Sequence, residues 1–442
     1  MSLTSGPVPT WGDGGGHLEL IAMLRRQVSD RLAATGRGEL ANADREQADR
    51  DHRVAELVEQ VLDEYTTQRL AARQMPLDPP VEAQVAAAVR DWFTGLGPLT
   101  PLLADPRNTN IFINGKTVWV KRTDGSKDRL PPITASDDEL IDLVRDIAAR
   151  VGAEERRFDR GVPRVSIRLP DGSRLFATMS VSHVPSISIR RFVLLNAGLD
   201  ELCVKYGAMD PGLRDLFTAM VRAKKNVVIG GGPDTGKTTM LVAFAKAIPP
   251  EERLVTIEDV YELGLHDDPD HPDCIAFQAR EPNVEGQGAI DQAELVRWGL
   301  RMGPDRVILG EARGGEVVPL LNCMSQGNDG SLATIHTSSS RQAFSKLMTY
   351  AAQSAERLSF EATAGLVAGA INFVVQLAWS TDKVRVISSV REVLHADGRE
   401  VISNEIFKPG PDRRAIPATP MRTDTLDELV EAGFNPDQVR GW

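Results

Sequence analysis

Asn226 to Leu241 reads N-V-V-I-G-G-G-P-D-T-G-K-T-T-M-L. Val227, Val228 and Ile229 form a short β-branched apolar run, the pattern of a strand buried on both faces. A glycine-rich turn follows, then Gly236-Lys237-Thr238-Thr239, and from Met240 onward apolar residues recur at helical spacing. Gly231 to Thr238 fits the phosphate-loop pattern G-x-x-x-x-G-K-[ST] in the strand–turn–helix context that gives the pattern its meaning. Backbone N–H groups of such a turn, with the helix N-terminus behind them, face phosphate oxygens. Lys237 is placed to reach the β- and γ-phosphates, and the Thr238 hydroxyl to ligate Mg²⁺. The stretch is a nucleotide site. Its lining residues are Gly231, Gly232, Pro233, Asp234, Thr235, Gly236, Lys237, Thr238 and Thr239.

The chain around it has 442 residues, enough for two to four domains. Its composition, 42% hydrophobic and 26% charged, is that of an ordinary globular protein. A net charge of −11 leaves no basic excess to neutralise nucleic-acid phosphates in bulk, although a local basic patch stays open. Cys203, Cys274 and Cys323 are scattered and odd in number, so they imply no disulfide framework and favour a reducing compartment. The first residues lack the basic and apolar regions of a signal peptide. No apolar run approaches the ~20 residues of a membrane span. The longest, Ala364 to Leu377, is interrupted by Asn372 and Gln376.

Residues 1–16 read as a disordered Gly/Pro-rich tail. Residues 17–95 read as a helical N-terminal region. Leu18, Ile21, Leu24 and Val28 share one helix face; Val54, Leu57, Val58, Val61, Leu62 and Tyr65 share another. The charged stretch Glu39 to Arg53 between them is a solvated face or linker. Residues 96–194 form a separate α+β domain. It has a hairpin around Asn114-Gly115, an amphipathic helix over Asp137 to Val151, and strands at Val165–Leu169, Arg174–Met179 and Ser186–Arg190. Residues 195–210 are a linker.

Residues 211–407 alternate helices and strands, as a parallel nucleotide-binding sheet requires. Strands are expected at Leu254–Ile257, Arg306–Leu309 and Ser331–Ile335, with helices at Ala289–Arg301 and Gly315–Met324. Phe373–Leu377, Val384–Val390 and Val401–Phe407 look like an antiparallel set. Residues 408–442 are a tail with a short helix at Leu426–Ala432. The fold class is α/β: a RecA-like P-loop domain preceded by a smaller α+β domain and a helical region.

Nucleotide hydrolysis needs one carboxylate to order water and another to organise the metal. Arg306-Val307-Ile308-Leu309-Gly310-Glu311 is an apolar strand ending in an acid, the Walker-B arrangement, and makes Glu311 the candidate for polarising water. Leu254-Val255-Thr256-Ile257-Glu258-Asp259 ends in two more acids. His336 closes a third strand on the same sheet edge, either as a structural hydrogen-bonder or as a catalytic or sensing group. Basic groups must also offset γ-phosphate charge. Pattern alone does not choose among Arg280, Arg297, Arg301 and Arg313 in the nucleotide domain and Arg174, Arg190 and Arg191 before it.

From about Gly97 to Phe407 the sequence resembles the type II/type IV secretion ATPase superfamily, and within it the branch that powers Flp/Tad-type pili. The resemblance rests on L-G-P-L-T-P-L-L-A-D-P-R-N-T-N-I-F-I-N-G (Leu96–Gly115), R-L-P-D-G-S-R (Arg168–Arg174), S-I-R-R-F (Ser188–Phe192) and V-T-I-E-D (Val255–Asp259). It rests further on R-E-P-N-V-E-G-Q-G (Arg280–Gly288), R-M-G-P-D-R-V-I-L-G-E-A-R-G-G-E (Arg301–Glu316) and G-N-D-G-S-L-A-T-I-H-T (Gly327–Thr337).

The resemblance implies an Asp box at Glu258 and Asp259, with Asp259 on the Mg²⁺ side, a Walker B at Glu311 and a His box at His336. Lys237 and Arg280 join the catalytic set, and Arg174 and Arg190 approach the γ-phosphate. It implies ATP and Mg²⁺ as cofactors, a homo-oligomer of six, and nucleotide held between the two domains of a subunit. The place implied is the inner face of the cytoplasmic membrane, beside a membrane-embedded platform protein, with no direct nucleic-acid partner.

The sequence also departs from the family. Asp234 replaces a loop glycine; at a position of positive φ an Asp is among the least penalised substitutes, at about 1 kcal/mol. A carboxylate aimed at a triphosphate is repelled; Asp234 is expected to point outward, and weaker ATP affinity stays open. Gly303 stands where the family often has Arg, Gln287 where it often has Lys, and Phe176 where it often has Asn. Asp234 keeps open a nucleotide-gated scaffold with little turnover, and a RecA-like fold keeps open a nucleic-acid-translocating motor, which the net acidity disfavours. The metal-compatible run His266, Asp267, Asp268, Asp270, His271, Asp273 and Cys274 lacks ligand spacing and reads as a solvated loop.

Overall fold

In a computed structural model of the chain, the described residues are 15–35, 43–151, 157–191, 197–280, 282 and 286–439. The tail expected at 1–16 lies outside them up to residue 14, as do Phe192 and most of Glu281–Glu285. The chain divides into two units, Met1–Val193 and Leu194–Trp442.

In the first unit α1 (Gly15–Thr35), α2 (Ala43–Ala71) and α3 (Pro79–Thr94) pack around Ile21, Leu24, Val28, Val54, Val58, Val61, Val85 and Val89. The faces expected from 3.6-residue spacing are the ones buried. α3 starts at Pro79-Pro80, where the missing N–H would have had no helical partner. After α4 (Thr100–Ala104) come β1 (Asn108–Asn114), β2 (Thr117–Arg122), β3 (Lys127–Leu130), α5 (Asp137–Val151), β4 (Arg164–Arg168), β5 (Arg174–Thr178) and β6 (Ser186–Arg190). The sheet order is β3-β2-β1-β6-β5-β4, antiparallel throughout.

Alternate residues Ile111, Ile113, Val118, Val120, Leu175, Ala177, Ile187 and Ile189 bury against Leu140, Leu143 and Ile147 of α5. Asn114 pairs with Thr117, so the hairpin turns on Gly115-Lys116, one residue later than expected, with Gly115 at φ +53°. β3 was not expected, because K-D-R-L carries a single apolar residue. The helical region is tied to the sheet domain. The Arg25 guanidinium lies 4.0 Å from the Trp92 ring centre, and the Trp92 indole donates to Asp146 at 3.1 Å.

The second unit opens with α6 (Leu199–Val204), inside the stretch read as linker, and α7 (Pro211–Arg222). β7 (Val227–Gly231), α8 (Lys237–Ala245), β8 (Leu254–Glu258), β9 (Cys274–Gln278), α9 (Gln292–Gly299), β10 (Arg306–Ala312), α10 (Val317–Ser325) and β11 (Leu332–His336) follow. Then come α11 (Gln342–Gln353), α12 (Phe360–Ala370), β12 (Phe373–Trp379), β13 (Arg385–Asp397), β14 (Glu400–Pro409), β15 (Ala415–Pro417) and α13 (Thr423–Glu431).

The sheet order is β15-β14-β13-β12-β7-β11-β10-β8-β9. From β12 to β9 every pairing is parallel, and β13 to β15 add an antiparallel flank. The sheet is therefore mixed. β12, expected in the antiparallel set, pairs parallel with β7 and antiparallel with β13, so it is the hinge between the two regimes. Val227 and Ile229 enter the core on one face of this sheet and Val228 the core on the other, which explains the uninterrupted apolar run.

Asn226, just before β7, is a buried polar hub. Its amide donates to the carbonyls of Met324 (2.9 Å) and Ala370 (2.7 Å) and its Oδ1 accepts from the Ser331 N–H (2.9 Å). The second unit takes in residues beyond 407 as well. Leu429, Phe434 and Val439 bury in the same core as Leu213, Leu216 and Phe217 of α7. Among the described residues no helix is long and apolar enough to cross a membrane.

Candidate active site

The central strand β7 delivers Gly231 to its carboxyl end, flanked by β11 and β12 running parallel. The chain then turns through Gly232–Gly236 into α8. The turn is set by close contacts. A Cβ on Gly230 would come within 2.5 Å of Gln376 Oε1 and Thr337 Oγ1, and one on Gly231 within 2.4 Å of Thr235 Oγ1. Gly236, at φ +93°, caps α8 in the left-handed region. Asp234 is left-handed too, at φ +57°, the conformation expected for a residue in a glycine's place. Thr235 donates to the Gly232 carbonyl at 2.9 Å, and Arg385 Nε to the Asp234 carbonyl at 2.8 Å. These contacts leave an open α8 N-terminus behind a glycine turn, which suits a phosphate chain; a Cβ on Gly232 would meet nothing closer than 3.8 Å.

Lys237 is buried, and its Nζ lies 3.0 Å from the Gly232 carbonyl and 3.1 Å from His336 Nδ1. His336 Nε2 lies 2.8 Å from Glu311 Oε1. An ammonium can only donate, so Nδ1 accepts and the ring carries its proton on Nε2, where it donates to the Glu311 carboxylate. Strand order explains the meeting. His336 stands in register with Gly231 on the adjacent β11, and Glu311 lies on β10 one strand further. The structure joins three expected residues into one chain: Lys237, His336, Glu311.

Glu258 ends β8, beside β10, and is buried. Its Oε2 accepts from the N–H groups of Glu262 (2.6 Å) and Leu263 (2.8 Å), so it shapes the following loop. Asp259 pairs with Arg313 and accepts from Gln292 Nε2 at 2.9 Å. Glu316 closes the G-E-A-R-G-G-E turn by accepting from the N–H groups of Arg313 (2.5 Å) and Gly314 (2.7 Å).

Other expected residues are not joined to this chain. Arg280 lies past the end of β9, four strands from β7, or roughly 19 Å at ordinary strand spacing, and its Nε donates to the Gly288 carbonyl at 2.6 Å. Arg297 pairs with Glu356 at 2.8 Å, and Arg191 donates to the Asp105 carbonyl at 2.5 Å. Arg174 and Arg190 belong to the first unit, where they are direct cross-strand partners on β5 and β6 and share one face of the sheet. The His266–Cys274 run forms a turn and the start of β9; among the described residues no group of three or more acidic, His or Cys side chains could hold a metal ion.

Two further neighbours, Tyr350 and Gln376, were not among the expected site residues. Burial, and the nearby Glu311 and Glu316 carboxylates, push the Tyr350 phenol up from its ordinary value. Gln376 donates to the Thr337 carbonyl at 3.2 Å and its Oε1 accepts from Thr337 Oγ1 at 2.8 Å, bracing β11 against β12 under the loop. A polar residue inside an apolar strand was the one clue to it.

A phosphate loop on a central parallel strand, with a carboxylate two strands away and an intervening strand supplying a histidine between them, defines the class: the second unit is a P-loop ATPase. Residues 95–403 match the type II/IV secretion system protein family, and the chain belongs to that family. A candidate conjugal transfer protein of Mycobacterium tuberculosis is 32% identical over 315 residues, covering 69% of this chain and 86% of its own length. VirB11 of Agrobacterium fabrum is 31% identical over 295 residues, covering 60% and 83%. The crystal structure of the VirB11 ATPase of the Brucella suis type IV secretion system, in complex with sulphate, is 26% identical, covers 70% of this chain and 96% of its own, and superposes with a TM-score of 0.36.

Proposed function

We propose that the protein is a Mg²⁺-ATP hydrolysing motor subunit that works as a homo-hexamer and powers assembly or secretion through a membrane machine of the Flp/Tad type. The observation that carries the reading is the Lys237–His336–Glu311 chain, which links the phosphate-binding lysine to the water-activating carboxylate through one imidazole. In this reading the loop N–H groups and Lys237 bind the β- and γ-phosphates, and Thr238 with Asp259 holds the metal side of the site. Mg²⁺ held there would supply positive charge against the charge that develops on the phosphate. Glu311 accepts a proton from water while His336 fixes the carboxylate's orientation. Arg174 and Arg190 are assigned to the γ-phosphate by family resemblance. The setting is the cytoplasmic face of the inner membrane, with a platform protein as partner.

The test is steady-state ATP hydrolysis with Mg²⁺ by the purified protein, Lys237→Ala and Glu311→Gln, with the oligomer mass read on the same samples. Turnover abolished by both substitutions in a particle of six subunits supports the reading. Tight ATP binding without turnover, unrestored by lipid or platform protein, supports instead a nucleotide-gated scaffold, the reading that the Asp234 carboxylate favours. DNA-stimulated turnover would favour a nucleic-acid translocator.

A further inference from the structure

We infer that Arg385 is a positioning residue of the phosphate loop: it fixes the left-handed corner at Asp234 and supplies the positive charge that offsets the Asp234 carboxylate. The inference rests on the nucleotide reading of that loop. Arg385 opens β13 on the antiparallel flank, far along the chain from the loop and directly opposite Trp379 of β12. Its guanidinium carbon lies 4.8 Å from the centre of the Trp379 ring, so one face of the cation is stacked and its swing restricted. Its Nε then donates to the Asp234 carbonyl at 2.8 Å, and its Cδ would stand 3.4 Å from a Cβ on Gly236. One arginine therefore bonds the left-handed Asp234, at φ +57°, and lies beside the left-handed Gly236, at φ +93°.

The chemistry explains how an acid is tolerated here. A carboxylate beside a triphosphate repels it, and a guanidinium tethered to the same residue's carbonyl supplies charge of the opposite sign. The carbonyl tether acts on geometry as well: it holds the peptide at Asp234 in place, and with it the direction of the N–H groups that follow. Nothing in the phosphate-loop pattern specifies this arginine, since it comes from a strand that the pattern does not include.

The experiment is a double-mutant cycle read as the dissociation constant of MgADP by calorimetry. It compares the unmutated protein, Arg385→Gln, Asp234→Gly and the double variant, with Lys237→Ala as the control for the site and a melting temperature for each. Arg385→Gln is expected to weaken MgADP about tenfold with Asp234 present, the fold-change of a ~1.4 kcal/mol contact. The loss should be similar in the Asp234→Gly background, which keeps the carbonyl that Arg385 holds, and because the two side-chain charges act on the phosphates additively the double variant should bind MgADP about as the unmutated protein does. In turnover the loss should appear in KM with kcat little changed, as a residue acting on nucleotide binding requires. Arg385→Lys, which keeps the charge without the planar stack, should recover part of the affinity, and it decides the question if Arg385→Gln does not fold.

No loss from Arg385→Gln in either background, or a double variant that binds MgADP as weakly as Arg385→Gln alone, overturns the inference. If Lys237→Ala binds MgADP as well as the unmutated protein, the nucleotide reading itself fails. If Lys237→Ala loses binding and Arg385→Gln does not, that reading stands and only the role of Arg385 falls.

Discussion

Lys237 Nζ sits 3.1 Å from His336 Nδ1, so the lysine proposed to bind phosphate is hydrogen-bonded to the histidine that holds Glu311. Phosphate oxygens would compete with an imidazole nitrogen and the Gly232 carbonyl for the same ammonium protons. Charge-assisted bonds to phosphate are the stronger, so in the proposed reading nucleotide would draw the lysine off the imidazole, whose Nε2 keeps its bond to Glu311. In that reading the imidazole would couple nucleotide binding to the carboxylate.

His336→Ala should then cost turnover more than affinity. The expected result is a fall in kcat of about tenfold or more, with the dissociation constant of MgADP within about threefold. Comparable losses in both would mean that the histidine serves the loop's stability and not the carboxylate. Measuring the two constants on the same preparation separates the cases.

Asp234→Gly removes a carboxylate and a non-glycine residue from φ +57°. Tighter ATP binding is expected from the first change. Relief of about 1 kcal/mol of backbone cost accompanies it, set against the larger unfolded-state entropy of glycine. Melting temperature should barely move while affinity rises. An unchanged or weaker ATP affinity in a well-folded variant would sink the electrostatic argument.

The sequence exposed the site better than it exposed the frame. Gly231–Thr238, Glu311 and His336 each stand at a strand end within a dense local motif, and the three strands proved neighbours. β9 was hidden because C-I-A-F-Q follows a run of acids and histidines that looks like loop, and each of its residues stays half-exposed at the sheet's edge. β12 was legible only in part: its antiparallel hairpin to β13 is local, whereas its parallel pairing with β7 is a contact across 146 residues that no local pattern encodes. Residues 408–439 looked like a tail for the same reason: Leu429 and Phe434 are buried by α7, more than two hundred residues upstream. Arg385 had no signal because its role depends on a strand register.

In the first unit Asp105 is nearly buried and accepts from Arg107 Nε (3.0 Å) and Nη2 (2.8 Å), the Arg107 N–H (3.0 Å) and Arg122 Nη1 (2.7 Å). Hydrogen bonds from Arg107 hold its carboxyl well below the usual carboxylate range, despite burial. A carboxylate with a lowered folded pKa contributes stability above its unfolded value of about 3.9 and loses it as pH falls towards the folded value. Asp105→Asn should destabilise the first unit by about 2 kcal/mol at neutral pH and flatten the stability loss below about pH 4. Tryptophan fluorescence during acid and urea unfolding reads both, and an unaltered acid limb in the variant would contradict the assignment.

The end of the ATPase sheet opposite the phosphate loop holds a buried ion pair. Arg306, with no exposed side chain, donates Nε and Nη2 to the two Glu252 oxygens at 2.8 and 2.7 Å, and Nη1 to the Val221 carbonyl at 2.8 Å. The surroundings leave no room for change; a Cβ on Gly330 would come within 2.6 Å of the guanidinium. Removing one partner strands the other charge, although Lys224 Nζ stays 3.2 Å from Glu252. Arg306→Met should therefore cost about 3 kcal/mol, and the double variant Arg306→Met/Glu252→Leu should recover most of it, because an apolar pair removes both desolvation penalties. Urea midpoints of the three proteins decide. Additive losses in the double variant would show that the arginine's bond to the Val221 carbonyl, and not the ion pair, fixes this end of β10.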